Sequence, residues 1–461
     1  MMKHKQTILS TLAAIAALAT TAAAQDLTPT APEQDHPIFL VGATVHTVSD
    51  GIIENGVVSM YEGKIGIVGV ASDIMPRISL SQDTQIIDLT GQHLYPGLID
   101  SVTKLGLQEM SAVRATNDYN EVGDMTPEVR AFVSVNPDSV VIPTARSNGI
   151  LTFGVFPTGG TIPGRASVLQ AEGWTTEDLA LAKDAGLIIN WPRMRHTGSN
   201  KAQAIKNRDR AIDKLNTLFD NATSYQINHD ETDQRLQAIT TVLPPVEQSQ
   251  TQDSPQNPVF INANDYDQIT AAINWATTRN LRPIIVGARD AHLCTDLLVS
   301  TNTPVIIGGT FNFPKRADEP YDQPYTLPAK LEQAGVLWSL SMSGRHAHER
   351  NLPDAIAISI AHGSEFGFSD EAALRGITLN AAKILNLDNH LGSIESGKHA
   401  TLFVADGNIL ETTSIVTQAW IQGRSIDLSN KQTKLRDKYQ EKYRQLDMIE
   451  DSPNESSKED S

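Results

Sequence analysis

The feature that most constrains this chain is an alternation. Between about Pro96 and His390, the apolar runs GLID, GILTFGVF, AGLIIN, PVFINA, PIIVGA, PVIIG and VLWSLS are each followed by loop or helical patterns. Strands recurring with intervening helices specify parallel β-α units, and the span fits a barrel of about 250 residues plus insertions. The flanks read differently. IFLVGATVHTV, GVVSMYEGKIGIVG and TQIIDLTGQHLYP precede the barrel, and ATLFVADGNI and TQAWIQGRSIDL follow it, as strand runs punctuated by Gly and Asp. The expected fold class is therefore α/β. A (β/α)8 TIM-type barrel over 96–390 would carry a small composite β-sandwich domain built from the N- and C-terminal segments 38–95 and 391–428.

Other stretches lie outside this pattern. From Lys201 to Leu243 apolar residues recur at helical spacing among charges, and a polar, Pro-containing stretch follows, so a helical insertion is expected over about 197–257. Beyond Lys431, residues Leu435, Tyr439, Tyr443 and Leu446 share one helical face. They predict a C-terminal helix over 429–450, ahead of an acidic, Ser-rich 451–461 too polar to pack. At the other end, Lys3 and Lys5 precede an apolar stretch closing on Ala22-Ala23-Ala24, the pattern of a cleaved signal peptide over 1–24 with a linker over 25–37. Export to a periplasm is the expected setting.

Composition narrows the chemistry. The net charge of −17 argues against a nucleic-acid partner, and no later segment reaches the roughly 18 apolar residues of a membrane span. Cys294 is the single cysteine, which excludes an internal disulfide and any CxxC-type metal site. Metal chemistry would have to use His and carboxylates.

GATVHTVSDGIIENGVVSMYEGKIGIVG, GQHLYPGLID and TLNAAKILNLDNHLGSIESGKHATLFVADGN together resemble the amidohydrolase superfamily, and more closely its periplasmic imidazolonepropionase-like members, over about Ile38 to Asp427. The resemblance implies hydrolysis of carbon-nitrogen bonds, as in a cyclic amide, by one or two divalent metals. It also implies where the ligands belong. PGxxD is followed in the family by x-H-x-H, and here Val102 and Lys104 occupy the two histidine positions. The strand 5 histidine falls on Asn262. The strand 8 aspartate falls within SLSMSGRHAHERNLP, where no Asp occurs. Valine has no lone pair to donate and lysine brings a positive charge, so a degenerate metal site and no cofactor are expected.

Two functional readings follow. In the first, hydrolysis of a small-molecule amide has moved to Asp290, His292, His346 and His348, whose loops surround a barrel's active face, and zinc or another divalent metal returns with that relocated site. Against it, the neighbouring Arg345, Glu349 and Arg350 read as an ion-paired, solvated loop. In the second, the barrel is catalytically inactive and serves as a binding or stabilising subunit, in a homo- or hetero-oligomer with a related amidohydrolase. Substrate-binding candidates are Lys104, whose ammonium could fill the metal's place and pair with Asp290 or a ligand carboxylate, Asn262, Asn264, Arg114 and Arg165. Gly159, Gly160 and Gly164 follow a strand run, and tight turns are their commoner use.

Overall fold

The computed structural model describes residues 29–196, 199–229, 231–245, 256–344, 347–446 and 448. The expected signal peptide, the expected 451–461 tail and His346 lie outside the described residues.

The first sheet is assembled from both ends of the chain. Strands β1 (Ile38–His46), β2 (Ile52–Tyr61), β3 (Lys64–Val70), β4 (Gln85–Asp88) and β5 (His93–Pro96) precede the barrel. The barrel sheet comprises β6 (Leu98–Thr103), β7 (Ile150–Val155), β8 (Gly164–Gln170), β9 (Ala180–Asn190), β10 (Val259–Ala263), β11 (Pro283–Gly287), β12 (Val305–Ile307) and β13 (Trp338–Leu340). The chain then returns to the first sheet as β14 (Leu402–Ala405), β15 (Val416–Ile421) and β16 (Arg424–Ser425). Its order there is β16-β15-β14-β5-β1-β2-β3, with β4 pairing β1 beside β5. The join is antiparallel, Leu402 opposite Pro96 and Ala405 opposite His93. The composite domain is a single eight-stranded sheet, and its apolar face carries Leu40, Val58, Met60, Leu94, Leu402 and Trp420.

The barrel sheet runs from β6 to β13 in chain order. All seven apolar runs named from the sequence are strands in it. The eighth, β8, is antiparallel to both β7 and β9. Its connection to β7, residues 156–163, is too short for a helical crossover, so the chain turns back as a hairpin. Inside the barrel, Ile99, Val168, Ile188, Phe260, Val286 and Ile306 form one packed core. The alternate residues, such as Leu187, Ile261, Ile285 and Val305, pack outward into the core beneath the helices.

The insertion between β9 and β10 contains the helices Lys201–Ile227 and Gln234–Thr240. The C-terminal helix is Lys431–Gln445, and the stripe Leu435, Tyr439, Tyr443 and Leu446 is exposed rather than packed. The capping residue Asn430 anchors it by donating to Ser147 Oγ at 2.9 Å.

Candidate functional site

The barrel's mouth is built where β6 meets β13. The pairing of β6 with β7 shifts between Asp100 and Thr103, and this irregularity lets Val102 turn onto the core inside the barrel. Asp100 stitches the seam between the two strands. Its Oδ1 lies 2.5 Å from Ser341 Oγ and accepts from Met342 N at 3.2 Å. Val102 is held across the same seam, donating its N–H to Ser341 Oγ at 3.0 Å and accepting from Gly344 N at 3.0 Å.

Two buried acids and one amine interact electrostatically here. Asp100 is fully buried, and its Oδ2 has no hydrogen-bond partner among the described residues. Burial pushes its carboxyl up to about 7, against the Ser341 and Met342 hydrogen bonds. Glu349, in the turn Glu349–Asn351 after β13, is 1% exposed and its Oε2 is also unpartnered. Burial and then the nearby Asp100 push it up to about 8. The Lys104 Nζ lies 4.2 Å from the centre of the Tyr119 ring. Burial lowers its pKa, and the attraction of Glu349 opposes that shift. Lys104 is thus in the field of Glu349 without a close ion pair to it among the described residues.

The other candidates are drawn into separate networks. Asp290 is tied up: Arg316 donates to it at 2.8 and 3.3 Å, Arg289 at 3.3 Å and Tyr266 N at 3.1 Å. Burial acts to raise its pKa, but these donors and charges hold it below the usual carboxylate range. It therefore pairs with the two arginines rather than with Lys104. His292 Nδ1 accepts from Gln323 Nε2 at 2.9 Å, and burial and then Lys330 lower its pKa. His348 is exposed. Asn262 donates to Asn190 Oδ1 at 2.6 Å, and Asn190 in turn donates to Gly160 O at 2.8 Å. The backbone of Asn264 accepts from Asp290 N at 2.9 Å. Arg114 is exposed, and Arg165 pairs with Asp184 and donates to Glu128 O at 3.1 Å. Cys294 is buried, which pushes its thiol up to about 11. A cleft of about 730 Å3 opens elsewhere, between Val122, Met125 and Glu128 and the insertion residues Lys214, Leu218 and Arg235.

With this geometry in hand, the comparisons are informative. Residues 329–427 match the Amidohydrolase family. The amidohydrolase tasK of Hapsidospora irregularis is 21% identical over 406 residues, covering 82% of this chain and 39% of that protein. An amidohydrolase from Thermotoga maritima superposes with a TM-score of 0.71 at 24% identity, over 85% of this chain and 99% of that one. The fold is that of the Thermotoga amidohydrolase, and residues 329–427 carry the match to the Amidohydrolase family. A prolidase solved with N-methylphosphonate-L-proline shares the fold more distantly, with a TM-score of 0.51 at 15% identity over 85% of this chain and 99% of its own.

The divalent metals that the family resemblance implies do not fit the residues described at this mouth. Val102 offers no donor atom, and Lys104 puts a cation where a second cation would sit. Asn262 gives its NH2 to Asn190 and has only an amide oxygen, a poor zinc donor, to offer, and burial raises the pKa of both acids so that protons compete with a metal there. Among the described residues, no three His, Cys, Asp or Glu side chains are grouped to hold an ion. Of the described sequence candidates, Lys104 belongs to this region, and the others lie in separate networks or are exposed. Asp100 and Glu349 were missed, and only the absence of a counter-charge for the acid in PGLID could have pointed to Asp100.

Proposed function

We propose that this amidohydrolase-superfamily member works without a metal at its barrel mouth, as a binding or stabilising subunit for a related, metal-competent barrel. One observation carries the reading: Lys104 stands at a histidine position of the family pattern with its ammonium in the field of Glu349. A cationic side chain already at that position repels a divalent ion. This chain spans 39% of the length of its tasK relative. Export through the 1–24 segment would place both subunits in the same compartment.

The reading is tested by expressing the tagless chain in its native host and identifying what co-purifies. The expected result is a stoichiometric partner of the same superfamily that retains PGxxDxHxH, with turnover of cyclic amides and acyl-proline dipeptides found only in the pair. Chelator-sensitive hydrolysis of such amides by the isolated chain would contradict it.

A further inference from the structure

The C-terminal helix, Lys431–Gln445, sorts its side chains by kind around its axis. At roughly 100° per residue, Leu435, Tyr439, Tyr443 and Leu446 fall within about 80° of its circumference. They are 43%, 50%, 41% and 56% exposed, so the stripe is open along its whole length. Lys431, Lys438 and Lys442 line one edge of it and Arg436 the other. The three lysines have no hydrogen bond or ion pair among the described residues, and the Lys442 ammonium lies 5.8 Å from the centres of both the Tyr439 and Tyr443 rings. The two acids of the helix, Asp437 and Glu441, lie on the opposite face, where they pair with Arg436 and Arg444. The helix thus carries six Lys or Arg against two acids, in a chain whose net charge is −17.

We propose that this face docks on an anionic phospholipid surface, the helix lying among the headgroups with its stripe turned toward the acyl chains. Charge complementarity selects the occupant. A second copy of the helix would set cation against cation: an antiparallel pair brings the lysine edges together, and a parallel pair brings them to Arg436. Lipid phosphates supply negative charge along both edges at once. The lysine stems lie along the apolar boundary while their ammonium groups reach the phosphates, and the tyrosine rings suit the same depth, apolar in body and polar at the hydroxyl. No helix among the described residues is long and apolar enough to cross a membrane, so the contact is peripheral. The hydrogen bonds from Asn430 to Ser147 and from Thr144 to Gln432 fix the start of the helix to the barrel, so a docked helix brings the barrel with it. This surface goes beyond the stabilising-subunit reading and does not rest on it.

The test is co-sedimentation of residues 25–461, which keep every described residue and omit the apolar N-terminal segment, with vesicles of phosphatidylglycerol and phosphatidylcholine in equal parts or of phosphatidylcholine alone. The acidic 451–461 is retained, and its charge works against the expected effect. Binding is expected to the mixed vesicles and not to phosphatidylcholine, and it should be lost as salt is raised from about 0.1 M to about 1 M, where the screening length falls from about 10 Å to about 3 Å. Lys438→Gln and Lys442→Gln should each weaken partitioning about fivefold, and Leu435→Ser and Leu446→Ser each about tenfold. Equal binding to the two kinds of vesicle, or variants that partition like the parent chain, would overturn the proposal. So would a dimer in sedimentation velocity that Leu435→Ser dissolves, because a second copy would then cover the stripe.

Discussion

Glu349 sits in RHAHERN, a run that reads as a solvated, ion-paired loop, yet its side chain is 1% exposed. Charge density along a sequence says nothing about which residue the tertiary structure turns inward, and here the turn after β13 buries the one glutamate. Its folded pKa of about 8 lies above the ordinary value of 4.5. Below 4.5 both folded and unfolded states hold the proton. Between 4.5 and 8 the unfolded chain releases it first, so this group's contribution to stability falls as pH rises through about 8. Glu349→Gln should therefore be more stable than the parent at pH 9, by roughly 1–3 kcal/mol, with the difference vanishing near pH 4. Urea unfolding at the two pH values checks this. A difference of the same size at both would show that ionisation of Glu349 is not its source.

At the scale of elements, the seven parallel strands were legible because each is an apolar run bounded by turn signals, the pattern of a strand buried on both faces. The antiparallel β8 was not. GRASVLQ carries Arg and Gln, and the glycines before it look like a loop, so the hairpin with β7 emerges only from pairing. The seam of β6 was half legible: the departures at Val102 and Lys104 could be read one position at a time, but the hydrogen bonds from Ser341 and Met342 to Asp100 cross more than 200 residues of chain. The same seam leaves no room beside it. A Cβ added at Gly154 in β7 would lie 2.0 Å from Ser101 O in β6. Gly154→Ala should force the two strands apart and cost about 1–3 kcal/mol, read as a lower denaturant midpoint at unchanged slope. An unchanged midpoint would mean that the β6–β7 contact is looser than described.

For the whole molecule, the ends of the chain are tied to the barrel near a buried ion pair. Arg146 and Glu172 meet at 2.8 Å with side chains only 7% and 5% exposed, and Glu172 also accepts from Ala31 N at 2.6 Å. On the same short helix, Thr144 donates to Gln432 of the C-terminal helix at 3.0 Å. Glu172→Gln leaves Arg146 as an uncompensated buried charge and should destabilise the chain by about 3–5 kcal/mol in chemical denaturation, whereas a loss below 1 kcal/mol would show that water reaches the pair. The barrel mouth poses the larger question, since the amidohydrolase fold is present while Val102, Lys104 and Asn262 stand where the sequence resemblance implies metal-binding histidines. The most direct measurement is the metal content of tagless protein by plasma mass spectrometry after dialysis against zinc-containing buffer. Far less than one equivalent of any divalent metal per chain is expected; about one zinc per chain, lost on His292→Ala or His348→Ala, would contradict a metal-free mouth.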